Sequence, residues 1–101
     1  MELELLPKNL EYLKFGSQFD DISINKILPQ LSKLKFLKFG SRFNQKLTNF
    51  PPNLIYLHMG YCFNHPLDNL PITIKYIKVA KRKFTCAINV SANVSIYRIP
   101  Y

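Results

Sequence analysis

The chain has 101 residues, room for a single domain, and 48% of them are apolar and 14% aromatic, with no long polar or Gly/Ser-rich tract. That composition argues against disorder over most of the chain and predicts a packed core. The formal net charge of +8 suits attraction to phosphates, anionic membranes or an acidic protein surface, without choosing among them.

The N-terminal MELELLPKNL carries acids where a secretory leader is basic, and its apolar stretch is too short for a leader core or a membrane span. The expectation is an intracellular protein with no membrane span. In that setting Cys62 and Cys86 are free thiols, and the acceptor triplets Asn89-Val90-Ser91 and Asn93-Val94-Ser95 are chance matches to glycosylation sites.

From Leu6 onward the chain repeats. LPKNLEYLKFGSQFD from Leu6, LPQLSKLKFLKFGSRFN from Leu28, FPPNLIYLHMGYCFN from Phe50 and LPITIKYIKVAKRKFT from Leu70 align on one another. Gly16, Gly40, Gly60 and Ala80 follow at spacings of 24, 20 and 20, and Pro7, Pro29, Pro51 and Pro71 at 22, 22 and 20. The two extra residues before Pro29 and the two after it belong in loops. VSANVSIYRIP, Val90 to Pro100, overlays the fourth copy at a shift of 20 as a degenerate last coil.

Within each copy three apolar positions recur: Leu10, Leu13 and Phe15; Leu34, Leu37 and Phe39; Leu54, Leu57 and Met59; Ile74, Ile77 and Val79. A step of three followed by a step of two reads as a bend and then a short strand. The glycine permits a sharp exit or a positive φ, and Phe19, Phe43, Phe63 and Phe84 add a second anchor. Asp20, Asn44 and Asn64 after three of these suit turns, where a short side chain bonds the local backbone. A unit of about 20 residues cannot close its own core, but stacked units bury one continuous column. The expected fold is mainly β: a single domain over residues 1–101, a short, right-handed, leucine-rich-repeat-like solenoid of four to five coils starting near 6, 28, 50, 70 and 90. It should carry a parallel sheet and little helix.

These stretches, with FNQKL and FNHPL after the second and third strands, resemble the FNIP repeat, which is grouped with leucine-rich repeats. Asp20 for Asn, Ala80 for Gly and the residue inserted before Phe84 depart from the pattern without changing its phase. Many relatives resemble ubiquitin-ligase adaptors with an F-box ahead of the repeats, and with five residues before Leu6 none is expected here. The resemblance implies a recognition module, of a kind known chiefly from amoebal and giant-virus proteins, and does not imply ligase recruitment. Host cytoplasm is the expected compartment if the chain is viral.

Metal and catalytic chemistry fare poorly against the repeat. His58, Cys62, His65 and Cys86 form a nominal zinc set, yet His58 occupies the column of Lys14, Lys38 and Lys78, and His65 that of Cys86. The six carboxylates fall at the N-terminal end or in turns, and all three glycines are repeat glycines, so neither a general acid–base pair nor a phosphate-cradling loop is expected. No cofactor is expected, and no enzyme.

What remains is a surface. If Leu13 and Phe15 point inward, the period of two sends their neighbours outward. One outward column reads Tyr12, Phe36, Tyr56, Tyr76 and Ile96, and the next reads Lys14, Lys38, His58, Lys78 and Arg98. Aromatics favour strands and lysines solubilise an open face, so the columns admit a purely structural explanation. The functional one is a grip on an acidic protein segment through Tyr12, Lys14, Phe36, Lys38, Tyr56, His58, Tyr76, Lys78 and Arg98. Single-stranded nucleic acid is the second choice of partner, and a repeat remnant with no retained partner the third. Uncovered solenoid ends would also favour self-association.

Overall fold

The computed structural model describes residues 3–101. Five short strands, β1 (Tyr12–Lys14), β2 (Phe36–Lys38), β3 (Tyr56–His58), β4 (Tyr76–Ala80) and β5 (Ser95–Ile99), form one sheet in sequence order, every pair parallel. Parallel neighbours need a long crossover, and here each crossover is the remainder of one coil. Over the described residues the protein is a β-solenoid of about four turns with one short helix.

The columns expected from the repeat are the register observed. Tyr12, Phe36, Tyr56 and Tyr76 stand side by side, as do Leu13, Leu37, Leu57 and Ile77, and Lys14, Lys38, His58 and Lys78. Leu37, Leu57 and Ile77 are fully buried, with Phe39, Met59 and Val79 behind them. Phe43, Phe63 and Phe84 continue the core on the far side of the turn, the stacked rings 6.2 and 5.9 Å apart. In the first coil Leu10, Leu13 and Phe19 are only half-buried, because a single neighbouring coil covers them.

The residues added before Pro29 do not form a loop. They wind into a helix, α1 (Ile24–Ile27), followed by a 3-10 turn at Leu28–Gln30. Ile24, Ile27 and Leu28 point into the core, so the helix fills the space that the extended return runs through Leu47 and Leu67 fill in later coils. Asn25 ties it to the second coil: its side chain donates to the Lys46 carbonyl and accepts from the Thr48 amide.

None of the repeat glycines has a positive φ, and Gly40 and Gly60 serve close approach instead. A β-carbon on Gly40 would lie 2.7 Å from the Gly16 carbonyl carbon, and one on Gly60 2.9 Å from Ser41 Cα. At Ala80 the chain leaves this path. The extra residue before Phe84 widens the turn, so that the Phe84 amide reaches back four residues to the Ala80 carbonyl where the Phe19 amide reaches three, to Gly16. Strand β4 also runs on to Ala80, pairing it with Ile99.

The turn residues bond differently from expectation. Asp20, Asn44 and Asn64 do not serve their own turns. Asp20 Oδ1 accepts the Asn44 amide, Asn44 Oδ1 the Asn64 amide, and Asn64 Oδ1 the Thr85 amide, each at 2.9 Å. One side chain per coil thus satisfies a backbone donor of the next coil, which a turn at the edge of a stack would otherwise leave to water.

The fifth coil is out of the expected register by one residue. Tyr76 pairs with Ser95, Ile77 with Ile96, Lys78 with Tyr97 and Val79 with Arg98. At the start of β2, β3 and β4 two successive amides point at one carbonyl: Lys35 and Phe36 at Glu11, Ile55 and Tyr56 at Lys35, Lys75 and Tyr76 at Ile55. In the last coil Ser95 alone bonds Lys75. The doubled donors use up one residue that the fifth coil does not spend, and its strand arrives one position early.

Candidate functional site

The outward face of the sheet carries two columns. The aromatic one begins with close stacking: the Tyr12 and Phe36 rings are 4.4 Å apart at 8°, and Phe36 and Tyr56 4.4 Å at 9°. Tyr56 and Tyr76 are further apart, 6.3 Å, and tilted. Tyr12, Phe36 and Tyr56 are spaced by the strand separation and use their faces on one another, leaving their edges outward.

Beside them stand Lys14, Lys38, His58 and Lys78. Lys78 Nζ lies 5.5 Å from the centre of the Tyr56 ring, within cation–π range, and hydrogen bonding to the Tyr56 side chain, with the nearby phenols, holds its pKa above the ordinary lysine value. His58 behaves oppositely. Burial, together with the charges of Lys38 and Lys78, pulls its pKa down to about 4, so the ring is neutral at pH 7. The cationic column is a pair of lysines, a neutral imidazole and a third lysine.

Two of the expected members change place with the register of β5. Ser95, and not Ile96, extends the aromatic column, while Tyr97, and not Arg98, stands beside Lys78. Ile96 and Arg98 occupy core-facing positions at the end of the stack, where Ile96 is 38% exposed because no further coil covers it. The aromatic and basic face is therefore Tyr12, Phe36, Tyr56 and Tyr76 with Lys14, Lys38, His58 and Lys78, closed by Tyr97.

Tyr101 adds a contact that the repeat pattern does not anticipate. Its hydroxyl donates to the Met59 carbonyl at 3.1 Å and meets His58 Nε2 at 2.8 Å. A phenol has one proton to give, so a neutral His58 protonated on Nε2 satisfies both bonds. The Tyr101 ring also meets Tyr61 edge-on at 6.4 Å. Burial raises the Tyr101 pKa above the ordinary phenol value. The side chain thus reaches from beyond β5 across β4 to β3. No periodicity could have announced it, since Tyr101 lies outside every copy.

The nominal zinc residues have other partners. His65 Nε2 bonds the Asn44 carbonyl at 3.1 Å, His58 bonds Tyr101, and Cys62 and Cys86 are free and half-buried. Among the described residues no three His, Cys, Asp or Glu side chains converge on a common point, and no helix is long and apolar enough to cross a membrane.

No curated protein and no solved structure matches the chain. The family model described as FNIP Repeat matches it three times, over residues 2–42, 32–62 and 43–82. Those spans take in strands β1 to β4, the three close-packed glycines and the side-chain ladder from Asp20 to Asn64. The chain belongs to the FNIP repeat family.

Proposed function

We propose that the chain is a noncatalytic, intracellular protein-interaction module that holds an acidic segment of a protein partner along the outward face of its sheet. The observation that carries this reading is the in-register pairing of Tyr12, Phe36, Tyr56 and Tyr76 beside Lys14, Lys38 and Lys78. A rigid row of ring edges, with hydroxyl groups on Tyr12, Tyr56 and Tyr76, beside the ammonium groups of Lys14, Lys38 and Lys78 offers an extended acidic strand hydrogen-bond donors and charge in step with the strands. Arg98 drops out of that row and Tyr97 replaces it.

Single-stranded nucleic acid is the second reading, favoured by the same combination of rings and cations. The ring stacking favours protein over nucleic acid, because faces already 4.4 Å from one another are closed to bases. A glutamate-rich peptide and an oligo-uridine of matched charge separate the two. Lys38→Glu with Lys78→Glu should keep the fold, with a small loss of melting temperature from the Lys78–Tyr56 contact, and should abolish peptide binding. Tyr56→Ala with Tyr76→Ala should weaken it. A steep log–log dependence on salt belongs to phosphate contacts, and a shallow one to the tyrosine-anchored peptide. If both double variants bind the peptide as the wild type does, the binding face lies instead on the turns at Ser17-Gln18, Ser41-Arg42 and Tyr61-Cys62.

A further inference from the structure

The widened turn of the fourth coil opens a second site, off both columns. A cavity of about 340 Å³ lies where β4 and β5 run out, lined by Lys81, Arg82, Tyr61, Tyr101, Ile99 and Pro100. We propose that this cavity binds a phosphoryl group, carried on an aromatic side chain such as a phosphotyrosine.

Three observations support the assignment. The lining side chains are two cations and two phenols with no acidic side chain among them, so even against the α-carboxylate that Tyr101 carries in the 101-residue chain the lining is net positive, and a guanidinium and an ammonium suit a phosphoryl group. The site is held in shape from three sides. The Lys81 amide bonds the Ile99 carbonyl at 2.8 Å, the Tyr101 amide bonds the same carbonyl at 2.9 Å, and the Tyr101 hydroxyl is fixed on Met59. The remaining lining is apolar: ring surface from two tyrosines set nearly perpendicular, at 86°, with Ile99 and Pro100. A bare anion would leave that surface unmatched, whereas an aryl phosphate covers it. The volume is at the small end of ligand pockets, which run from roughly 300 to 1,000 Å³, and so suits one side chain better than an extended ligand.

The cavity exists because of features particular to the fourth coil. In copies one to three the phenylalanine follows three residues after the glycine, and only Ala80-Lys81-Arg82-Lys83 takes the extra residue. That residue lies within the run of three consecutive basic side chains, and the turn carrying it lines the pocket.

The test is amide chemical-shift titration of the isotope-labelled 101-residue chain with phenyl phosphate, inorganic phosphate and phenol. Phenyl phosphate should move the amides of Tyr61, Lys81 and Arg82 saturably, inorganic phosphate the same amides at tenfold or higher concentration, and phenol none of them. Lys81→Gln with Arg82→Gln, two exposed positions, should fold as the wild type does and lose at least tenfold in affinity for phenyl phosphate. Equal affinity for the two phosphates would support a phosphoryl site whose ligand is the free ion. No saturable movement at these amides, or undiminished affinity in the double variant, would overturn the proposal. The variant should still bind the glutamate-rich peptide, and the Lys38→Glu, Lys78→Glu variant should still bind phenyl phosphate, so the two sites stand or fall separately.

Discussion

The carbonyl carbon of Gly16 lies 2.7 Å from the point a β-carbon on Gly40 would occupy. Gly40 stands in the same relation to Gly60, while Gly16 itself faces nothing within 4 Å. Three glycines that look equivalent in the repeat therefore differ in consequence. Gly40→Ala and Gly60→Ala must push two backbones apart and should each cost about 3 kcal/mol or more, the upper part of the range for overpacked sites. Gly16→Ala should change stability by less than about 0.5 kcal/mol. Urea melts of the three variants decide the matter, and three equal losses would contradict the steric explanation.

Phe43 is fully buried, 4.0 Å from the Phe39 ring and about midway between Phe19 and Phe63. Phe43→Ala should cost roughly 3–5 kcal/mol. The half-buried Phe19, with a coil on one side only, should cost clearly less when truncated in the same way. Thermal melts compare the two, and equal losses would mean that the first coil is packed as tightly as the second.

Asn64 accepts from Thr85, and Asn44 from Asn64. Asn44→Ala should cost about 1 kcal/mol, the usual net worth of one such bond, since the exposed turn lets water take over the orphaned amide. Hydrogen exchange is the sharper readout. The Asn64 amide should lose protection in Asn44→Ala, while the Thr85 amide should lose it only in Asn64→Ala.

Stability should also depend on pH through His58. Its folded pKa of about 4 lies below the ordinary 6.5, so between those values the unfolded chain binds the extra proton. Stability is then fully present above pH 6.5, falls as pH drops toward 4, and levels off below. After allowance for solvent screening of a part-exposed ring, the effect should be about 1–2 kcal/mol. His58→Gln should flatten the curve over that window. A decline of the same size in the variant would place the titration elsewhere.

Both outer strands of the 101-residue chain, β1 and β5, have one unpaired edge, and β5 adds the exposed Ile96 and Tyr97. Unpaired parallel edges invite pairing. Sedimentation should show concentration-dependent self-association that Ile96→Lys suppresses, and a monomer at every concentration would count against it.

The strand register of the first four coils was readable because Gly, Pro and Leu recur at fixed offsets and side-chain direction alternates with a period of two. Local arithmetic was enough to place Tyr12 beside Phe36 and Lys38 beside His58. The fifth coil escaped because its register depends on the doubled amide donors that precede β2, β3 and β4, and these are hydrogen bonds between coils with no residue signature. A shift of one residue exchanges faces, which is how Arg98 moved off the basic column and Tyr97 onto it. The aromatic ladder was visible in sequence, but the His58–Tyr101 contact was not, since it joins a repeat position to one outside the repeat. The helix at Ile24–Ile27 was masked in the same way. Two added residues announce an insertion, and only the space beside Leu47 decides that it should wind.

The ladder from Asp20 to Thr85 has a direction. Every link is a side-chain oxygen of one coil and a main-chain amide of the next, so a coil needs a suitable side chain only to receive a successor, and needs nothing but its backbone to be received. Thr85 shows the second half of that rule, being accepted by Asn64 although it is not itself an asparagine. Whole coils can therefore be duplicated or excised without any matched change in their neighbours, and an array built this way can vary in length far more readily than in the pitch of its turns.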